Sequence, residues 1–131
     1  MQGKLQHQNI PLSRGKHKHV FHTFGSYNKK SKLQYFYRNC VFEQALNHNA
    51  GKTDEEIINK ILSDIDFAFS CNKPAIICTH RINYTSGIDA QSRNAGLKLL
   101  DKLLCEVEQR YSNIEFLSSD ELYDMFNKNG G

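Results

Sequence analysis

Long apolar runs are the first thing this sequence lacks. None approaches the ~18 consecutive residues a membrane-crossing helix needs. The first thirty residues hold no apolar block followed by a small-residue cleavage site, so no signal peptide is visible. Cysteine pairs are missing as well. Cys40, Cys71, Cys78 and Cys105 are spaced by 31, 7 and 27 residues, which leaves no C-x-x-C pair for a structural zinc site. The even count permits disulfides without demanding them, and free thiols are expected. There is no phosphate-cradling glycine loop, no nucleophile elbow and no dependable Ser-His-Asp order. Proline is scarce: Pro11 and Pro74 are the only two.

What is there describes one modest globular domain. Of 131 residues, 39% are hydrophobic and 24% charged, too apolar a balance for a disordered chain. The net charge is only +3, and much of the excess sits early, in Lys16, Lys18, Lys29, Lys30 and Lys32. With Phe24 and Tyr27 beside it, this basic stretch suits contact with phosphate or acidic sugar. The plainer reading is a solvated loop, because no nucleic-acid motif accompanies it. Neither nucleic acid nor membrane is expected as a partner.

Residues 1–30 are punctuated by Gly3, Pro11, Gly15 and Gly25 and read as largely irregular, with one short strand near His19–Phe24. Leu33–Phe42, dense in aromatic and β-branched residues, reads as a strand, and Asn47–Lys52 as a turn. A helix then starts at Thr53, whose Glu56 stands at capping-box spacing. Ile57, Ile58, Ile61, Leu62, Ile65 and Phe69 give it one apolar face. It should stop before Pro74. Ala75–Thr79 reads as a strand buried on both faces, followed by a loop through Thr85–Asp89. A long helix is expected over Ala90–Tyr111, capped by Asp89, with a stripe of Leu97, Leu100, Leu103 or Leu104, Val107 and Tyr111. Gly96 weakens it unless it serves close packing. Ile114–Leu117 reads as a short strand. Ser118 with Glu121 forms a second capping box, opening a helix to about Phe126, and 127–131 form a tail. The fold class is therefore α/β, with alternating strand–helix units over 31–126 and a parallel sheet with right-handed crossovers. Three parallel strands cannot close a barrel, which takes about eight. They would leave two open edges.

The stretch Lys73–Tyr84, KPAIICTHRINY, gathers the candidate chemistry. Groups just past the carboxyl end of a parallel strand line the ligand crevice, and His80 stands there with Thr79, Arg81, Asn83 and Tyr84. Histidine titrates near working pH and can act as general acid or base, or bind a metal. The competing reading is a histidine that only shapes its loop. Arg38 and Glu43, at and beyond the end of the aromatic strand, form a second candidate pair. A guanidinium can orient a catalytic carboxylate, or the two form a structural ion pair. His17, His19 and His22 are a weak metal candidate with no acidic ligand nearby in sequence. Tyr84 and the strand aromatics suit stacking on sugar rings, although such residues more often fill cores.

Three runs, RNCVFEQ at Arg38–Gln44, KPAIICTHRINY, and RYSNIEFLSSDEL at Arg110–Leu122, resemble the C-terminal part of bacterial (Bacteroidetes-type) polysaccharide deacetylase-like proteins, the glycoside hydrolase/deacetylase barrels. The resemblance covers roughly residues 20–126. It implies the C-terminal half of a (β/α) barrel acting on a carbohydrate substrate, with His80 donating a proton to the leaving amine. Arg38 would orient a catalytic aspartate, Glu43 would stand in the polar site, and Arg81, Asn83 and Tyr84 would shape the substrate loop. The family's divalent metal and catalytic base come from an early Asp-Asp pair and two histidines four residues apart. Neither motif is present here, and Asn39, Cys40 and Val41 replace the family's proline and aromatic after the arginine. The resemblance thus implies a fragment that needs a missing N-terminal barrel half as partner and is inactive alone. The metal would belong to a full-length homologue and no cofactor to this chain. The other reading is a non-catalytic α/β carbohydrate-binding module or a structural remnant. The compartment is not encoded in any recognisable signal.

Overall fold

The computed structural model describes residues 24–85, 87 and 89–128, and the backbone of 6–11 and 17–22. In chain order the elements are β1 (Gln6–Pro11), β2 (His17–His22), β3 (Ser26–Asn28), β4 (Leu33–Tyr35), β5 (Cys40–Val41), α1 (Gln44–Asn49), α2 (Asp54–Ser70), β6 (Ile77–Cys78), α3 (Ile82–Thr85), α4 (Ala90–Arg110) and α5 (Ser119–Lys128). The protein is mixed α/β. It divides into two compact units: a hairpin unit of Met1–Tyr37 with Phe116–Gly131, and a helical unit of Arg38–Glu115.

In the hairpin unit, β1 pairs antiparallel with β2, from Gln6 opposite His22 to Pro11 opposite His17. β3 pairs with β4, Ser26 opposite Tyr35. The stretch 1–30, expected to be largely irregular, therefore carries three strands. Hairpin pairing satisfies backbone groups that an irregular run leaves open. His17, His19 and His22 fall on β2; the metal site suggested for them lies outside the described side chains. Gly25 has φ +75°, and a Cβ there would stand 2.6 Å from Phe126 Cε1, so only glycine fits. Phe24 meets Phe36 and Tyr37 edge-on, at ring separations of 5.6 and 4.9 Å. Phe126 joins Phe36 at 5.0 Å. The single strand expected over Leu33–Phe42 is broken here. Successive strand residues point to opposite faces, so Phe36 and Tyr37 could not both reach Phe24 from a continuous strand. α5 opens with the expected capping box: the Ser118 N–H donates to Glu121 Oε2 at 2.7 Å, and the Glu121 N–H to Ser118 Oγ at 3.3 Å.

The helical unit follows its periodicity more closely. Thr53 caps α2, its Oγ1 accepting from the Glu56 N–H at 3.2 Å while its own N–H donates to Glu56 Oε2 at 2.8 Å. The apolar side of α2 packs on Cys40, Phe42 and the inner face of α4. That inner face is Gly96, Leu99, Leu103 and Val107, so Leu97 points outward and Leu99 replaces it in the expected stripe. Close approach at Gly96 sets this register. Asp66 of α2 takes hydrogen bonds from Arg110 and from the Tyr111 hydroxyl, and Phe69 packs edge-on against Tyr111 at 5.1 Å.

β5 and β6 form a parallel pair, Cys40 opposite Ile77 and Val41 opposite Cys78. The Asn39 amide lengthens it by side-chain contact, accepting from the Ile76 N–H at 2.7 Å and donating to the Pro74 carbonyl at 2.9 Å. The sheet is smaller than expected in two ways. Ala75–Thr79 contributes only two paired residues and is not buried on both faces, Val41 and Ile77 being 57% and 36% exposed. Residues 114–117 form no strand among the described residues. Among the described residues all three sheets are two-stranded, and no barrel closes. Two short helices, α1 and α3, occupy stretches expected as turn and loop.

Candidate active site

The parallel pairing of β5 and β6 brings two connections to the same carboxyl end. Glu43 lies two residues beyond β5, and His80 two residues beyond β6. There the His80 Nδ1–H donates to Glu43 Oε1 at 2.6 Å. The carboxylate is 8% exposed and the imidazole 67%. Glu43 is thus the fixed partner, and Nε2 of His80 is the free face of the pair. A carboxylate on Nδ1 sets the tautomer and aim of the ring, and the remaining nitrogen can then take up or deliver a proton.

Asn83 fixes the carboxylate. Its Nδ2 donates to Glu43 Oε2 at 3.0 Å and to the His80 carbonyl at 3.0 Å, and its Oδ1 accepts from the Ala45 N–H at 3.2 Å. The side chain is enclosed, with the residue 1% exposed. It therefore stitches the connection after β6 to the first turn of α1, and a loop with no glycine-rich or proline turn signal becomes α3. Behind it stands Gly96. A Cβ there would overlap the Asn83 carbonyl oxygen and sit 3.0 Å from Gln44 Oε1. α4 can approach the site only because that position is glycine.

Of the other three candidate side chains, Tyr84 and Arg81 belong to the connection that carries His80, and Arg38 does not. Tyr84 shares a hydrogen bond with Thr79 Oγ1 at 2.6 Å. Burial, with a smaller push from the Glu43 charge, holds the Tyr84 phenol above its usual pKa, partly offset by the Thr79 bond. Arg81 is exposed at the start of α3. Arg38 is not brought to Glu43: its Nη1 donates to Cys78 Sγ at 3.1 Å. Four residues lie between Arg38 and Glu43, two of them forming β5, and five steps of extended chain span roughly 16 Å, so the two stand at opposite ends of β5.

One chain of contacts had no sequence signal that a turn assignment could expose. Gln44 Nε2 bonds His48 Nδ1 at 2.8 Å, and His48 Nε2 bonds Asp54 Oδ1 at 2.6 Å. Gln44 and His48 are four apart, the spacing of helical neighbours, so reading α1 as a helix would have found them. Gln44 Oε1 is buried without a hydrogen-bond partner among the described residues.

Among the described residues the donors do not make a metal centre. Both oxygens of Glu43 are engaged by His80 and Asn83, which leaves His80 Nε2 as a solitary imidazole, and no cluster of three His, Cys, Asp or Glu occurs among the described residues. No helix among the described residues is long and apolar enough to cross a membrane. No family model matches this chain, and no curated protein or solved structure does.

Proposed function

We propose that this chain is the C-terminal portion of a carbohydrate-active hydrolase resembling polysaccharide deacetylases, with His80 as the proton donor to the leaving group. The observation that carries the reading is the Glu43–His80 pair at the carboxyl end of paired parallel strands. Glu43 orients the ring, and Asn83 acts as a positioning residue because its amide is spent on Glu43 and the backbone. Arg81 and Tyr84 remain the groups offered to a sugar. On this reading the metal and the base come from an N-terminal barrel half outside these residues, and the substrate is an acetylated carbohydrate. The test is acetate release from an acetylated oligosaccharide by the complete barrel. His80→Ala should lower it by about 10²–10⁴-fold, the usual worth of a general acid. Unchanged release would remove His80 from proton transfer.

A second reading, sugar binding without chemistry, is favoured by the same engagement of both Glu43 oxygens. It predicts that acetylated oligosaccharides titrate the chain and that Tyr84→Ala abolishes the response. A response that survives Tyr84→Ala would dismiss it.

A further inference from the structure

The charge of this chain is unevenly placed. Residues 1–42 hold eight Lys or Arg and no Asp or Glu, so the net +3 conceals a first third at +8 and a remainder at −5. Within the described residues, that positive charge gathers on the turn between β3 and β4. Asn28 Oδ1 accepts from the N–H groups of Lys30 at 3.0 Å and Ser31 at 3.2 Å, a side-chain turn that fixes the loop locally. Lys29, Lys30 and Lys32 are all exposed, and none joins an ion pair among the described residues. Tyr27 and Leu33, on the strands carrying the turn, are 47% and 54% exposed.

The acids of the same unit do not neutralise this turn. All three, Asp120, Glu121 and Asp124, lie on α5. The Glu121 carboxylate accepts from the Ser118 N–H, and the Glu121 N–H donates back to Ser118 Oγ. It is Phe126, towards the other end of α5, that meets Gly25 and Phe36 at the base of the hairpin.

We propose that this turn is a docking surface for an acidic polysaccharide. Lys29, Lys30 and Lys32 pair with carboxylates on successive sugars, and the Tyr27 ring lies against a sugar face. Ammonium groups accept an anion from many directions, which suits a repeating polymer better than a single fixed ligand. One ring and one leucine are too little apolar surface to anchor in a bilayer. Charge plus a stacking ring also attracts single-stranded nucleic acid. The choice of sugar over nucleotide rests on the carbohydrate reading above, and the experiment separates them.

The experiment is calorimetric titration of the full chain at low salt with sodium polygalacturonate, neutral dextran, oligothymidylate, and phosphatidylcholine–phosphatidylserine vesicles. Polygalacturonate should bind and dextran should not. The triple variant Lys29→Gln/Lys30→Gln/Lys32→Gln should weaken binding by at least about tenfold, the scale of three exposed charge contacts. The triple Lys→Arg variant should bind like the parent, and Lys98→Gln/Lys102→Gln on α4 should have no effect. Tyr27→Ala should weaken binding further. Absence of binding, parental binding by the triple Gln variant, loss of binding in the triple Arg variant, or tighter binding of oligothymidylate or vesicles overturns the proposal. The docking surface therefore stands or falls by titration, while the hydrolase reading stands or falls by acetate release.

Discussion

The two units solve the problem of burying apolar surface differently. The helical unit encloses a cluster of aliphatic side chains, Ile57, Ile61, Ile65, Leu99 and Leu103 among them, between two long helices and a short parallel pair. The hairpin unit buries only Phe24 and Leu122 among its described residues and relies on ring edges, Phe24 on Tyr37 and Phe36 on Phe126. Charge divides along the same line: eight Lys or Arg against three Asp or Glu in the hairpin unit, and nine against eleven in the helical unit. A large apolar core supplies most of a unit's stability, while regions with few buried apolar contacts open first. The chemistry of the candidate site thus sits on the better-buried scaffold, and the surface suited to a charged polymer sits on the less buried one.

The largest expected effect breaks the helical unit. Leu103 is fully buried, so Leu103→Ala should cost about 2–5 kcal/mol in chemical denaturation. A chemical probe is built in. Burial, reinforced by the Asp64 charge, pushes the Cys40 thiol up to about 11, so at neutral pH it should resist iodoacetamide while exposed Cys105 reacts. Leu103→Ala should speed labelling of Cys40 and leave Cys105 unaltered. Equal labelling of both thiols in the parent would contradict the buried position of Cys40.

Next in size is Gly96→Ala. Overpacking against the Asn83 carbonyl should cost about 1–3 kcal/mol. It should also shift the His80 imidazole resonances, because Asn83 holds Glu43 and Glu43 holds the ring. Unaltered His80 resonances would uncouple α4 from the site.

Smaller again is the shared capping device. Thr53→Ala should cost about 1 kcal/mol and speed hydrogen exchange across the first turn of α2. Ser118→Ala should do the same to α5 alone. If either change speeds exchange throughout both helices, the units are not separate in stability.

The smallest effect is electrostatic and confined to the α2–α4 contact. The Tyr111 hydroxyl, and then Arg110, hold the Asp66 carboxyl below the usual carboxylate range. A depressed folded pKa stabilises above the unfolded pKa and is lost as pH falls through the folded value. Thermal melts of the parent should therefore lose an increment below about pH 4. Asp66→Asn should lack that increment while being slightly less stable at pH 7. Identical acid limbs in the two proteins would remove Asp66 from the contact.

Legibility followed the range of the interaction. The capping boxes at Thr53 and Ser118, the Asp89 cap and the apolar face of α2 from Ile57 to Ile65 are readable, because each is made by residues three or four apart; Phe69, expected on that face, is 37% exposed, and Ala68 is buried instead. The candidate site was half readable. His80 and Glu43 each read as polar residues beyond a strand, but sequence proximity pairs Glu43 with Arg38, five positions away. Its real partners are 37 and 40 residues away, and only strand pairing brings them close. Asn83 looked like a substrate contact because a loop was expected, yet α3 turns it inward. The broken strand at Phe36 and Tyr37 was hidden because aromatic density favours strand wherever it occurs, and the ring of Phe24 redirected both side chains.

By itself, then, the sequence determined the helices α2, α4 and α5, their caps, the mixed α/β class and the uneven placement of charge, since these are set by neighbours along the chain. Tertiary structure alone decided that the sheet has two strands at the site, that Leu99 faces inward while Leu97 does not, and that Glu43 belongs to His80. The reason is physical: which groups meet across 37 residues depends on strand pairing and on what packs into the space left by Gly96, and a local pattern names neither partner.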